Sequence, residues 1–146
     1  MNKTYELKLK SEIGEVRKVE RFVKKIAAEQ GFSDSCLHDV MLVITEATNN
    51  AVLHGNRLDT SKRAWLRCEV CGSELHVEVH DEGSGFDPNA LPNPLDEENL
   101  LKPSGRGVFL IKQIAEDVRY EFSDRGTTVR FRIKFKTKSN RGEKHC

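Results

Sequence analysis

EATNNAVLHGN, residues 46–56, is the stretch on which the reading of this chain turns. It continues a helical pattern that starts near Ser33-Asp34, carries its apolar stripe as Leu37, Val40, Met41, Ile44, Thr48 and Ala51, and runs to Gly55. The second half of that helix nevertheless holds an acid, two asparagines and a histidine. At about 100° per residue, Asp39, Glu46 and Asn50 share one side, roughly opposite the Ile44 stripe. That could be a solvated face. Leu42, Val43 and Leu53 flank the polar line, however, so the side reads as the wall of a cleft. A carboxylate and a carboxamide one turn apart are oxygen donors suited to Mg2+, which keeps waters and substrate phosphates in its shell. Either group could also orient a hydroxyl or a water toward a phosphorus atom.

The flanking sequence supplies the rest of the fold. Tyr5, Leu7 and Leu9 alternate as a half-buried strand over residues 4–10. Ser11 is placed to cap a first helix, followed at helical spacing by Ile13, Val16, Val19, Val23, Ile26 and Ala27, with Gly31 as its stop. Downstream, strands over 63–71 and 74–81 are joined by CGSE as a hairpin. Pro88, Pro92, Pro94 and Pro103 then exclude a regular helix or central strand. A helix over 106–116, a strand over 118–122, the turn SDRGT and the strand TVRFRIKF complete the pattern. This order predicts an α+β fold in one domain over 1–135: a two-layer α/β sandwich with helices on one face of a mixed, largely antiparallel sheet. Residues 136–146 read as a polar, basic, frayed tail.

Composition narrows the function classes. The chain has 146 residues, 37% of them hydrophobic and 32% charged, with a net charge of +1, enough for one domain with a real core. The near-neutral balance argues against direct binding to nucleic acid, which calls for a basic stripe. No apolar run approaches a membrane span, and the N-terminus lacks the apolar region of a signal peptide, so a cytoplasmic protein is expected. Cys36, Cys68, Cys71 and Cys146 are then expected as free thiols. Cys68, Cys71, His76 and His80 superficially suggest zinc, but the pairs are too close for a finger and the segment alternates like a hairpin.

Two further motifs carry chemistry. In HDEGSGFDP, Asp81 ends a strand, and Gly83 and Gly85 let the chain turn and approach a ligand closely. A carboxylate there can accept a hydrogen bond from an amino group such as that of adenine; an ordinary Asp- and Gly-rich turn is the plainer reading. In SGRGVFLIKQIAED, Gly105 and Gly107 precede a helix, and a glycine-rich entry to a helix N-terminus suits phosphate. No Gly-Lys-Ser/Thr follows, so this is not a Walker loop.

In this order, Glu-x-x-x-Asn-Ala on a helix, Asp-x-Gly-x-Gly after a strand and Gly-x-Gly before a helix resemble the motif boxes of the GHKL (Bergerat-fold) ATPases. That superfamily includes gyrase, histidine kinases and MutL. The chain ahead of the Glu46 helix is short for the phosphoacceptor domain of histidine kinases, and the appended domains of gyrase and MutL are not seen. The chain therefore looks most like the RsbW/SpoIIAB family, anti-sigma factors that are also serine/threonine protein kinases. The resemblance implies ATP and Mg2+ as cofactors, Glu46 as general base and Asn50 as Mg2+ ligand. It implies Asp81 as the adenine-reading acid in a pocket shaped by Gly83 and Gly85, with Thr128 nearby. It places Gly105, Arg106 and Gly107 at the phosphates and a lid over about 86–104 above the nucleotide. By the same resemblance the partners are a sigma factor and a STAS-type anti-anti-sigma protein, and the chain is a homodimer. The alternative is a nucleotide-gated binding switch without kinase activity. Glu46 favours the kinase, because a pure switch needs no base.

Overall fold

The computed structural model describes residues 2–83 and 110–138. The expected lid over 86–104, together with Gly85, Gly105, Arg106 and Gly107, lies outside the described residues, as does the chain beyond 138.

Five strands form one sheet: β1 (Lys3–Lys10), β2 (Arg63–Cys71), β3 (Glu74–Asp81), β4 (Glu116–Ser123) and β5 (Gly126–Lys134), in the order β1-β2-β3-β5-β4. Two helices, α1 (Val16–Gln30) and α2 (Asp34–Asn49), follow β1, and a helical segment over 110–114 precedes β4. Every pairing among the described residues is antiparallel, so the sheet is not mixed there. Two hairpins account for half of this: the β2–β3 turn places Gly72 at φ 62°, and the β4–β5 turn ends at Gly126 with φ 136°.

Strand alternation sorts the side chains. Leu66, Cys68 and Val70 of β2, Leu75, Val77 and Val79 of β3, and Val129, Phe131 and Ile133 of β5 are buried. They form one core with Val19, Val23 and Ile26 of α1 and Val40, Val43 and Ile44 of α2. Each such side chain stabilises the fold by about 1.5–3 kcal/mol through loss of water contact. Leu66 is 1% exposed at the centre of the sheet. Leu66→Ala is expected to cost about 2–5 kcal/mol, read as a lowered urea midpoint at unchanged m-value.

The helix ends differ from the sequence expectation in part. Ser33 caps α2 by accepting from the Cys36 amide at 3.3 Å, and Gly31 closes α1 in the left-handed region at φ 70°. Ser11 does not cap α1. A 3-10 turn over Ile13–Glu15 intervenes, leaving Ile13 exposed, and the Ser11 hydroxyl instead donates to the Lys62 carbonyl at 2.7 Å. A long-range partner has displaced the local one.

The far end of the chain also differs. Residues 136–138 are tied to the α1–α2 junction rather than frayed: Ser33 donates to the Lys136 carbonyl and Lys138 to the Gly31 carbonyl, both at 2.8 Å. Phe135 packs on Phe32 with ring centroids 4.5 Å apart. Strand parity bears on the zinc question as well, since Cys68 is buried toward the helices while His76 and His80 lie on the open face. Cys68 and Cys71 are free thiols; Cys36 is disulfide-bonded, against the expectation of free thiols throughout. Among the described residues no helix is long and apolar enough to cross a membrane.

Candidate functional site

The site is built where α2 changes pitch. Asn50–Gly55 forms a π-helical turn, so the backbone is wider here than in the α-helix before it. Asn56 donates its backbone amide to the Ala51 carbonyl at 2.8 Å, and Leu58 donates to that of Val52 at 3.0 Å. Arg57 and Leu58 then take left-handed conformations, φ 52° and 59°, and the chain leaves toward β2. The buried arc of α2 runs through Val40, Val43, Ala47 and Asn50, and so is rotated from the Ile44-centred stripe toward the polar line.

The pitch change sets Gly55 directly against Asp81, the last residue of β3. A Cβ on Gly55 would overlap the Asp81 carboxylate, a Cβ on Gly83 would overlap the Gly55 carbonyl oxygen, and a Cβ on Gly126 would overlap the Asp81 carbonyl. Gly55 and Gly126 therefore close on Asp81, and Gly83 on Gly55, to distances that only glycine permits. Asp81 continues the inward parity of Leu75, Val77 and Val79 and is 3% exposed. Its carboxylate accepts from the Gly83 amide at 2.9 Å and from that of Thr127, which pairs with it across the sheet. Burial raises its pKa, and these two donors only partly oppose the shift.

Beside Asp81 lies a narrow pocket between α2 and the sheet. Asn50, Asp81 and Thr127 supply its polar groups, and Ala51, Val79, Ile111 and Tyr120 contribute to its walls. Asn50 Nδ2 and Thr127 Oγ1 are buried without a hydrogen-bond partner. An unpaired buried polar atom is costly, so these two suit a ligand that offers an acceptor to the Asn50 amide and a polar partner to the Thr127 hydroxyl. Burial also pushes the Tyr120 phenol up to about 12, keeping that wall neutral.

Glu46 is half-buried one helical turn before Asn50 and does not line the pocket. Thr128 points away from it: its hydroxyl meets His80 Nδ1 at 2.8 Å on the open face, where His80 stacks on Trp65. Its neighbour Thr127 takes the inward position. Parity could have found this, since Thr127 is in phase with the inward Val129, Phe131 and Ile133. Gly55, Asn56 and Gly126 were not singled out from the sequence either, because their roles are contacts between distant segments. Among the described residues no group of three or more His, Cys, Asp or Glu could hold a metal ion. Asn50, Asp81 and Thr127 each bring an oxygen donor to the pocket.

With fold and pocket in view, the comparisons place the chain. The histidine kinase-like ATPase domain family matches residues 9–133, and the chain belongs to that family. It is 26% identical over 110 residues to a serine-protein kinase RsbW of Listeria innocua, covering 71% of this chain and 69% of the relative. It is 28% identical over 113 residues to the RsbW kinase of Bacillus licheniformis, covering 71% and 68%. It is 28% identical over 104 residues to an anti-sigma F factor of Clostridium perfringens, covering 69% and 74%. The fold matches a crystal structure of RsbU and RsbW domains from Mycobacterium tuberculosis with a TM-score of 0.67 at 19% identity, over 91% of this chain and 32% of that one. This chain thus spans about a third of that structure's length.

Proposed function

We propose that the chain is an ATP-dependent serine/threonine protein kinase and anti-sigma factor. It binds a sigma factor and phosphorylates a STAS-type anti-anti-sigma partner, acting in the cytoplasm as a homodimer without contacting nucleic acid or membrane. The meeting of Asn50, Asp81 and Thr127 in one pocket, with two buried polar atoms unpaired, carries this reading. The names of the relatives, serine-protein kinase and anti-sigma F factor, support it.

In this reading Asp81 accepts a hydrogen bond from the adenine amino group, and Thr127 takes the place beside it that the resemblance gave to Thr128. Gly83 keeps the backbone close to the ring. Asn50 holds Mg2+, which neutralises charge on the phosphates when bound. By the resemblance, Gly85 joins Gly83 at the adenine, and Gly105, Arg106 and Gly107 serve the phosphates. Glu46 accepts the proton of the partner's serine or threonine hydroxyl while that oxygen bonds to the γ-phosphorus. The bond from the γ-phosphorus to the β–γ bridging oxygen breaks, and ADP leaves.

The test compares wild type with Glu46→Gln, using γ-labelled ATP, Mg2+ and lysate of the source cell. An acid-stable label on one small protein, reduced at least about 100-fold in the variant, is expected for a positioned general base. ATP binding by both proteins without transfer from either would shift the reading to the nucleotide-gated switch.

A further inference from the structure

Asn56 lies outside the pocket, yet the residue is 1% exposed and its side chain uses both amide donors and its carbonyl oxygen. Its Nδ2 donates to Ser11 Oγ and to the Arg63 carbonyl, both at 3.0 Å, and its Oδ1 accepts from the Glu82 amide at 2.8 Å. The three partners belong to different parts of the sheet. Ser11 follows β1, Arg63 begins β2, and Glu82 follows β3.

Two of the three contacts flank Asp81, and the third, to Ser11, anchors the Asn56 amide to the chain after β1. Glu82 is the successor of Asp81, and Arg63 precedes Ala64, which pairs with Asp81 across the sheet. Gly55, bonded to Asn56 through the chain, abuts the carboxylate itself. A second link runs alongside, from the Arg63 amide to the Glu82 carboxylate at 2.6 Å. One amide side chain therefore fixes the backbone on both sides of the acid: the glycine in front of it and the residue behind it. An aspartate here would lack the two donors, and an alanine would leave Glu82 N–H and Arg63 C=O without this partner.

We propose that Asn56 is a positioning residue for base recognition, holding the Asp81 carboxylate in register with the purine amino group. The proposal rests on the reading of Asp81 as the adenine acceptor. A structural tie alone would set stability. A positioning residue also sets how well the site separates a purine that carries an amino group from one that carries a carbonyl there.

The experiment measures equilibrium binding of ADP and of inosine diphosphate, with Mg2+, to wild type, Asn56→Ala and Ser11→Ala, alongside thermal melting. Wild type is expected to prefer ADP by about 10- to 100-fold, the range of a hydrogen bond to a charged group. Asn56→Ala is expected to bring that ratio to within about threefold. Ser11→Ala, which keeps the bond to Glu82, is expected to reduce it by a smaller factor of about 2 to 5. A wild-type ratio retained by Asn56→Ala, however far its melting temperature falls, would overturn the proposal and leave Asn56 a structural tie. Should Asn56→Ala not fold, an unchanged ratio in Ser11→Ala overturns it equally. Failure of the parent reading is separately visible, because wild type itself would then bind neither nucleotide or bind both alike.

Discussion

Asp81→Asn is expected to lose ADP and ATP binding by at least about 100-fold while melting at the same temperature as wild type or a few degrees higher at pH 7. The first half follows from the chemistry of the pocket. An amide can turn an NH2 toward a purine amino group, and two donors repel where a carboxylate would accept. The second half follows from burial. Asp81 is almost fully buried, and burial raises its pKa against the two amides that donate to it. Its charged form is therefore less favourable in the folded protein than in the unfolded chain. The sign follows directly: a carboxyl whose folded pKa is raised contributes most below its unfolded value, and that contribution is lost as pH rises through the folded value. At neutral pH the charge is a liability that asparagine removes while keeping an oxygen for Gly83. Melting curves against pH check this. The gap between the two proteins should close as pH falls through the raised pKa, because a protonated acid resembles the amide. Wild-type affinity in the variant would sink the assignment of Asp81 to the base.

The second large effect is expected at Gly83. A methyl group there overlaps the backbone carbonyl of Gly55, which cannot swing aside as a side chain can. Gly83→Ala must push apart the π turn and the end of β3, at a cost of about 3 kcal/mol. Nucleotide binding should fall with it, because the displaced turn carries Asn50 and the displaced strand end carries Asp81. Gly14→Ala is the control: a Cβ at Gly14 meets nothing within 4 Å, so a change of no more than about 0.5 kcal/mol is expected. Denaturant midpoints for the two variants give the comparison, and equal midpoints would refute the close-approach account.

Which parts of this were legible in the chain follows from the range of the forces involved. Period-two alternation placed β1, β2, β3 and β5 to within a few residues, because each strand covers one face of the core and leaves the other open. The same alternation, continued two residues past Val79, gives Asp81 the inward phase that the structure shows. At the threonines the resemblance, not the alternation, pointed to Thr128, although the inward phase belongs to Thr127. The helical wheel located Asn50 but drifted beyond it, since a wheel of constant pitch cannot follow a π turn. Ser11 reads as a local helix cap, and Asn56 carries no reading of its own in the sequence. The two are instead bonded to each other across 45 residues of sequence, and Asn56 also reaches Arg63 and, 26 residues on, Glu82. No local pattern encodes such a partner. The glycine contacts were hidden for the same reason, because what makes Gly55 necessary is Asp81.

The widened turn over Asn50–Gly55 sets a different limit on change. A helix advances about 100° per residue, so the angular position of Gly55 relative to Glu46 depends on how many residues the turn contains. Removing one residue, for example Leu53 at the exposed side, would let the segment relax to ordinary pitch. Gly55 and Asn56 would then face away from Asp81, although each retained its identity. Insertions fail in the same way with the opposite rotation. The spacing from Glu46 to Asn56 thus behaves as a fixed length, and diversity along it is confined to replacement of one side chain by another.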